Sequence, residues 1–414
     1  MISNILRILV ARSFKPLKFT SKGAKYIDNN VDNFGIYVHV PFCEKLCSFC
    51  PYNKVLYNKR LASDYLKALI KEIDLVARSY KGKTITSVYF GGGTPALLID
   101  ELDIIVKKLK EYFIIEKSIG IELHPRDINK ELASKLIKIG FDMVSVGIQS
   151  FQKEELKTLG REYINGTEKV EIVKEAGFRV IDVDLIFGIG GQTDKRLKVD
   201  FLQAFKSGAT QVSTYPFIDF SYANNKDKPL GGKGKKHLLN MLEEISKGEG
   251  IERTAVWTFG IKNTEKYSSI TRDTYIGFGP SASTLTNSSF KINTFNIKEY
   301  IKSVDSNENP KALTMEFSKR MRGVYWLFWN AYTLKLSKEN YLNLMKRNLE
   351  EDFGIEIFLS RLFRLLRRTK EGYELTKLGA YIYHILEQHY THQYIDKTWK
   401  VSKEEAWPKE VKLY

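Results

Sequence analysis

Cysteine is nearly absent from this chain: there are three in 414 residues, and all of them, Cys43, Cys47 and Cys50, fall within eight positions. An odd number in so long a chain excludes a disulfide framework, a device of small secreted domains with little core. No apolar run reaches the roughly twenty residues that a bilayer span requires. The first fifteen residues place Ile2, Ile5, Leu6 and Leu9 at helical spacing but interrupt them with Arg7, Arg12 and Lys15, and no small-residue cleavage site follows. That segment reads as a basic amphipathic helix, either packed on the body of the protein or lying in a membrane interface. Acidic residues are in deficit, 49 against 65 Lys and Arg, for a net charge of +16. The bases are dispersed rather than gathered on one recognition helix. This argues against a nucleic-acid reader and suits an anionic small substrate or an anionic membrane surface.

What is present is concentrated around the cysteines. In Tyr37-Val-His-Val-Pro-Phe-Cys43-Glu-Lys-Leu-Cys47-Ser-Phe-Cys50 the spacing Cys-x3-Cys-x2-Cys lets one short loop offer three thiolates to one inorganic centre. A cubane [4Fe–4S] cluster has four ligand positions, so one iron is left open to a small molecule. Zinc would ask for a fourth protein ligand, and His39 and Glu44 do not complete a zinc spacing. Ser87-Val-Tyr-Phe-Gly91-Gly-Gly-Thr94 is a short apolar strand running into three glycines, where backbone N–H groups can approach a carboxylate or amine with no side chain in the way. Ile121-Glu-Leu-His and Val144-Ser-Val-Gly-Ile-Gln are further strand-like runs ending in polar residues, the mark of the functional face of a barrel.

Over residues 35–218, short β-branched or aromatic strands alternate with amphipathic segments at 63–78, 101–112, 130–139 and 166–176. Such alternation predicts parallel strands with crossover helices, an α/β protein. Residues 219–250 read as a solvated glycine- and lysine-rich connection before a helix. Beyond residue 309, helices at 314–334 and 338–350, a short hairpin around 372–379 and a last helix holding Tyr381, Ile382, Ile385 and Leu386 suggest a winged-helix-like unit.

The cysteine run resembles the opening signature of radical S-adenosylmethionine (SAM) enzymes, in the branch typified by the oxygen-independent coproporphyrinogen III oxidase. Val183-Asp-Leu-Ile-Phe-Gly-Ile-Gly-Gly-Gln-Thr193 is similar to a later element of that branch, with Gly190 where proline is usual, and so is Tyr275-Ile-Gly-Phe-Gly-Pro-Ser-Ala-Ser283. The resemblance implies a partial (β/α)6 barrel with a C-terminal winged-helix-like domain, divided as an N-terminal basic segment 1–32, a barrel with its following segment 33–308, and the appended domain 309–414. It implies a [4Fe–4S] cluster on Cys43, Cys47 and Cys50, SAM on the open iron, and electron transfer that opens the C–S bond to give a 5′-deoxyadenosyl radical. Tyr37, Gly91, Gly92, Gly93, Thr94, Glu122, Asp184 and Ser283 are then expected cofactor contacts, with Gln149 and Arg161 at both the cofactor and the reacting centre. A flavodoxin or ferredoxin would supply the electron. An oxygen-sensitive cluster without disulfides points to the cytoplasm, with residues 1–15 as the route to any peripheral membrane contact.

The oxidase itself carries a fourth cysteine two residues after the third, and Tyr52 holds that place here. The first expectation is therefore radical C-methylation or related carbon transfer, using two SAM molecules, on a bulky hydrophobic or aromatic small molecule: a tetrapyrrole, quinone, lipid or polyketide. Oxidative decarboxylation of coproporphyrinogen in haem biosynthesis and a haem-chaperone role are the alternatives.

Overall fold

The computed structural model describes residues 2–21, 34–115, 118–223, 225, 227–266 and 273–413. Six strands, β1 (Phe34–Val40), β2 (Thr84–Gly92), β3 (Ile119–Leu123), β4 (Met143–Gln149), β5 (Val180–Phe187) and β6 (Gln211–Pro216), pair in parallel in that order. Helices Lys59–Ala77, Leu102–Tyr112, Lys130–Ile139, Gly166–Ala176 and Asp194–Ser207 cross between them, and Gly232–Gly248 follows β6. Four of these helices start where the sequence supplies a cap: Asn58, Asn129, Asn165 and Thr193 each accept a backbone N–H three residues on.

Side chains alternate across a strand, and here the alternation separates two environments. Ile36, Val38 and Val40, then Val88 and Phe90, Val144 and Val146, and Val183 and Leu185 are buried in one core with the crossover helices. The residues between them, Tyr37 and His39, Tyr89, Glu122, Ser145, Gly147 and Gln149, Asp182 and Asp184, and Tyr215, line cavities. A polar inner face cannot pack as a dry barrel core. It encloses space for ligands instead.

The sheet continues on both sides of the six expected strands. Beyond β6, Thr258–Ile261 adds antiparallel. On the β1 side a seventh parallel strand, β7 (Tyr275–Phe278), is followed by antiparallel Ser283–Leu285, Ser289–Asn293, Lys311–Glu316, Leu17–Thr20 and Glu410–Leu413. One sheet therefore runs across the divisions expected at 32 and 308.

The helix expected at 314–334 begins later, at Lys319. Residues Lys311–Glu316 pair with Ser289–Asn293 as a strand, and Ser318 caps the helix Lys319–Tyr332 by accepting from Met321 N. The segment expected as one helix at 338–350 is two, Lys338–Met345 and Leu349–Leu362, because Lys346 ends the first in a left-handed conformation. With Lys335–Ser337, Leu366–Arg368 and Gly372–Leu375 forming a three-stranded sheet, the order of elements is that of a winged helix. Part of the connection 219–250, residues 224 and 226, lies outside the described residues.

The N-terminal helix Ile2–Ala11 lies on this unit: Val10 packs against the cluster of Trp326, Leu336, Tyr341 and Phe353, and Arg320 Nε donates to Val10 O at 2.9 Å. Among the described residues no helix is long and apolar enough to cross a membrane.

Candidate functional site

Cys43 ends a two-residue strand after β1, and Cys47 and Cys50 follow in the loop. The loop is pinned by backbone bonds from Tyr57 N to Cys43 O (2.9 Å) and from Val55 N to Pro41 O (2.8 Å), and by Lys54 Nζ donating to Cys50 O (2.6 Å). All three thiols are unpaired and line one cavity of about 310 Å³ at the carboxyl ends of the barrel strands. Burial pushes the Cys43 thiol up to about 11, although Thr94 Oγ1 lies 3.7 Å from its sulfur. That thiol becomes a ligand only if a metal displaces its proton. Among the described residues no three His, Cys, Asp or Glu side chains gather around a single ion. Three thiols on one cavity wall instead match a cubane, which takes one thiolate per iron.

Opposite the loop, the strand ends supply the polar wall. Glu122 accepts from Gly92 N at 3.0 Å, and removal from water raises its pKa. Asp184 accepts from Ser145 Oγ (2.8 Å) and Asp182 from Ser213 Oγ (2.8 Å); burial raises both, and the neighbouring Asp182 charge raises Asp184 further. Gln149 closes β4 with φ 70°. Arg161 donates from Nη1 to Gly147 O at 2.5 Å and sits over the Phe49 ring of the cysteine loop, 5.5 Å from its centroid. Its Nε is buried without a partner, a donor that a bound carboxylate or carbonyl would satisfy. These groups fit the amino-acid part of SAM: acceptors for an ammonium and a guanidinium for a carboxylate.

Of the expected contacts, Gly92, Gly93, Thr94, Glu122, Gln149, Arg161 and Asp184 share this cavity with the cysteines. Three amides of the glycine run have partners within the protein. The N–H of Gly92 goes to Glu122, that of Gly93 to Val40 O (2.7 Å) and that of Thr94 to Phe42 O (2.7 Å), so none is left for a ligand. A Cβ at Gly93 would fall 2.4 Å from Phe42 O, and one at Gly91 would fall 2.9 Å from the Glu122 carboxylate; the run lets β2 close against the cysteine loop and the inner wall. Tyr37 and Ser283 face a second cavity, of about 300 Å³, which meets the first at Tyr52, Tyr89 and Glu122. Sequence reasoning passed over Tyr89, His124, Arg126, Ser145, Asp182 and Tyr215, which also line the first cavity. Two-residue spacing from residues it did choose (His124 from Glu122, Asp182 from Asp184) was the available signal.

Residues 37–202 match the model of the radical SAM superfamily. The chain is 28% identical over 263 residues to the heme chaperone HemW of Lactococcus lactis, covering 60% of this chain and 68% of that one. It is 31% identical over 220 residues to the oxygen-independent coproporphyrinogen III oxidase of Escherichia coli, covering 50% of this chain and 48% of that one. The solved structure of the Escherichia coli oxidase HemN shares the fold, with a TM-score of 0.78 over 93% of this chain and 98% of that one, at 21% identity. The cysteine loop and the polar strand ends lie within the stretch that matches the radical SAM superfamily, a family that uses a [4Fe–4S] cluster and SAM, and this chain is similar to heme chaperones and coproporphyrinogen oxidases of that superfamily.

Proposed function

We propose that the protein carries out radical-initiated carbon transfer, a C-methylation or a close relative of it, on a bulky hydrophobic or aromatic small molecule, with two SAM molecules consumed. Cys43, Cys47 and Cys50 would hold the cluster, and the cluster with its SAM supplies a 5′-deoxyadenosyl radical. Arg161 binds a carboxylate, and Glu122, fixed by Gly92 N–H, accepts from an ammonium. Asp184, whose pKa burial and the neighbouring Asp182 raise, lines the cavity and accepts from Ser145 Oγ (2.8 Å). A one-electron donor of the flavodoxin or ferredoxin class completes the reading. For residues 1–15 it retains peripheral contact with a membrane, since Ile5, Leu9 and Phe14 stay exposed.

The observation that carries this reading is Tyr52. It stands where the oxidase pattern has a fourth cysteine, and it lines both cavities, so a second chamber of similar size adjoins the space beside the cluster loop. A second reading, oxidative decarboxylation of a coproporphyrinogen propionate, is favoured by identity to the Escherichia coli oxidase and by Lys45, Arg126 and Arg161 around the first cavity. The identity to HemW favours haem binding as a third. Product analysis separates them under anaerobic reduction. Carbon transfer releases S-adenosylhomocysteine together with 5′-deoxyadenosine; decarboxylation releases carbon dioxide without S-adenosylhomocysteine; haem binding without SAM cleavage leaves the chaperone reading. Either of the last two results overturns the proposal.

A further inference from the structure

The two cavities differ in charge. The first is bordered by Lys45, Lys54, Arg126 and Arg161 as well as by acids. The second is walled by Tyr275, Tyr325, Trp329, Tyr390, Trp399 and Met315, and among the described residues no lysine or arginine lines it. Its carboxylate is Glu122, at the junction. Two buried cations lie outside its lining: Lys311 Nζ donates to Thr284 Oγ1 (3.1 Å), and Arg322, behind the Tyr325 ring at 5.8 Å from its centroid, donates from Nη2 to Asp273 O (2.5 Å) and keeps Nε without a partner. A carboxylate entering here would give up its hydration with no cation in the lining to replace it and would meet Glu122 at the junction. Flat apolar rings meet the opposite conditions, aromatic walls from the barrel side and from the C-terminal helices. The polar groups on offer are hydroxyls: Tyr275 with Ser283 at 3.1 Å, and Tyr37, whose Oη lies 3.0 Å from His39 Nδ1.

We propose that this second cavity is the substrate chamber and that it takes a neutral ring compound of the phenol or quinone class, rejecting carboxylated rings such as propionate-bearing tetrapyrroles. The inference rests on the carbon-transfer reading and narrows its substrate. The end of the chamber at Tyr89 and Glu122 is shared with the cavity of the cysteine loop, so a ring seated there has one edge toward the radical source.

The test is calorimetric titration of the cluster-loaded, SAM-bound protein with two probes of one size at pH 7, 2-naphthol and 2-naphthoate. The wild type should bind 2-naphthol at least tenfold more tightly. Trp329→Arg, at a half-buried wall position, should weaken 2-naphthol and strengthen 2-naphthoate, each by about tenfold; Trp329→Phe, which keeps an aromatic wall, should hold 2-naphthol within threefold of wild type. Equal binding of the two probes by the wild type, or a Trp329→Arg protein that unfolds like wild type yet binds both unchanged, overturns the chamber. The carbon-transfer reading fails separately. If 2-naphthol binds as described but no substrate releases S-adenosylhomocysteine, the chamber stands and that chemistry falls; S-adenosylhomocysteine released on a propionate-bearing tetrapyrrole does the reverse.

Discussion

Gly92→Ala should destabilise the protein by about 2 kcal/mol more than Gly82→Ala, and the excess measures how tightly the glycine run is closed on β1. Both glycines have positive φ, 110° and 80°, so each alanine carries a backbone penalty of about 1–2 kcal/mol. Beyond that they differ. A Cβ at Gly82 meets nothing within 4 Å, whereas one at Gly92 would lie 2.5 Å from His39 Cε1 and 2.6 Å from Nδ1. His39 is 3% exposed and cannot swing into solvent. Its ring is held by the Tyr37 hydroxyl at Nδ1 (3.0 Å) and by Asn53 O at Nε2 (2.9 Å). Pushing the ring aside gives up both bonds, each contributing about 1 kcal/mol, for a total near 3–4 kcal/mol. Burial also lowers the His39 pKa to about 4, so the ring is neutral through the assay range and protonation does not enter. Urea unfolding followed by circular dichroism gives both losses, and His39→Ala combined with Gly92→Ala should recover about 2 kcal/mol relative to the sum of the single changes. Equal losses at Gly82 and Gly92 would refute the argument.

Changing any one of Cys43, Cys47 or Cys50 to Ala should abolish or cripple cluster assembly in anaerobic reconstitution, with iron and sulfide counts dropping together; one zinc per chain in the unaltered protein would contradict the site. Arg161→Ala removes a charge-assisted contact and should weaken SAM binding in equilibrium dialysis by roughly ten- to a hundredfold; unchanged affinity would show that the unpartnered Nε does not face SAM. Glu387 accepts from Thr391 Oγ1 (2.9 Å), has its other oxygen buried without a partner, and is pushed by burial to about 7. Its folded pKa is raised, so its contribution is complete below the unfolded value near pH 4.5 and is lost as pH rises through about 7. Glu387→Gln should therefore gain about 2–3 kcal/mol over wild type at pH 8.5 and almost nothing at pH 4; a gain of the same size at both would falsify the assignment.

The chain itself determined the cluster loop, because three thiols within eight residues need no distant partner, and it determined the barrel, because two-residue alternation and helical spacing are local properties of the backbone. That Glu122, Gln149, Arg161 and Asp184 would line one cavity with the cysteines was legible for the same reason: each belongs to a strand end or to the segment following one. What a residue faces was decided only when the sheet closed. Tyr37 and Ser283 are far apart in sequence, yet the parallel pairing of β1 with β7 brings them to one chamber, away from the cysteines. Local sequence also cannot say which carbonyls will accept from the N–H groups of the glycine run; Val40 and Phe42 accept from Gly93 and Thr94 only after β1 and β2 pair. The charge contrast between the cavities was likewise invisible to composition. A net charge of +16 describes the whole chain, whereas the absence of lysine and arginine from one wall depends on which helices and strands tertiary packing turns toward it.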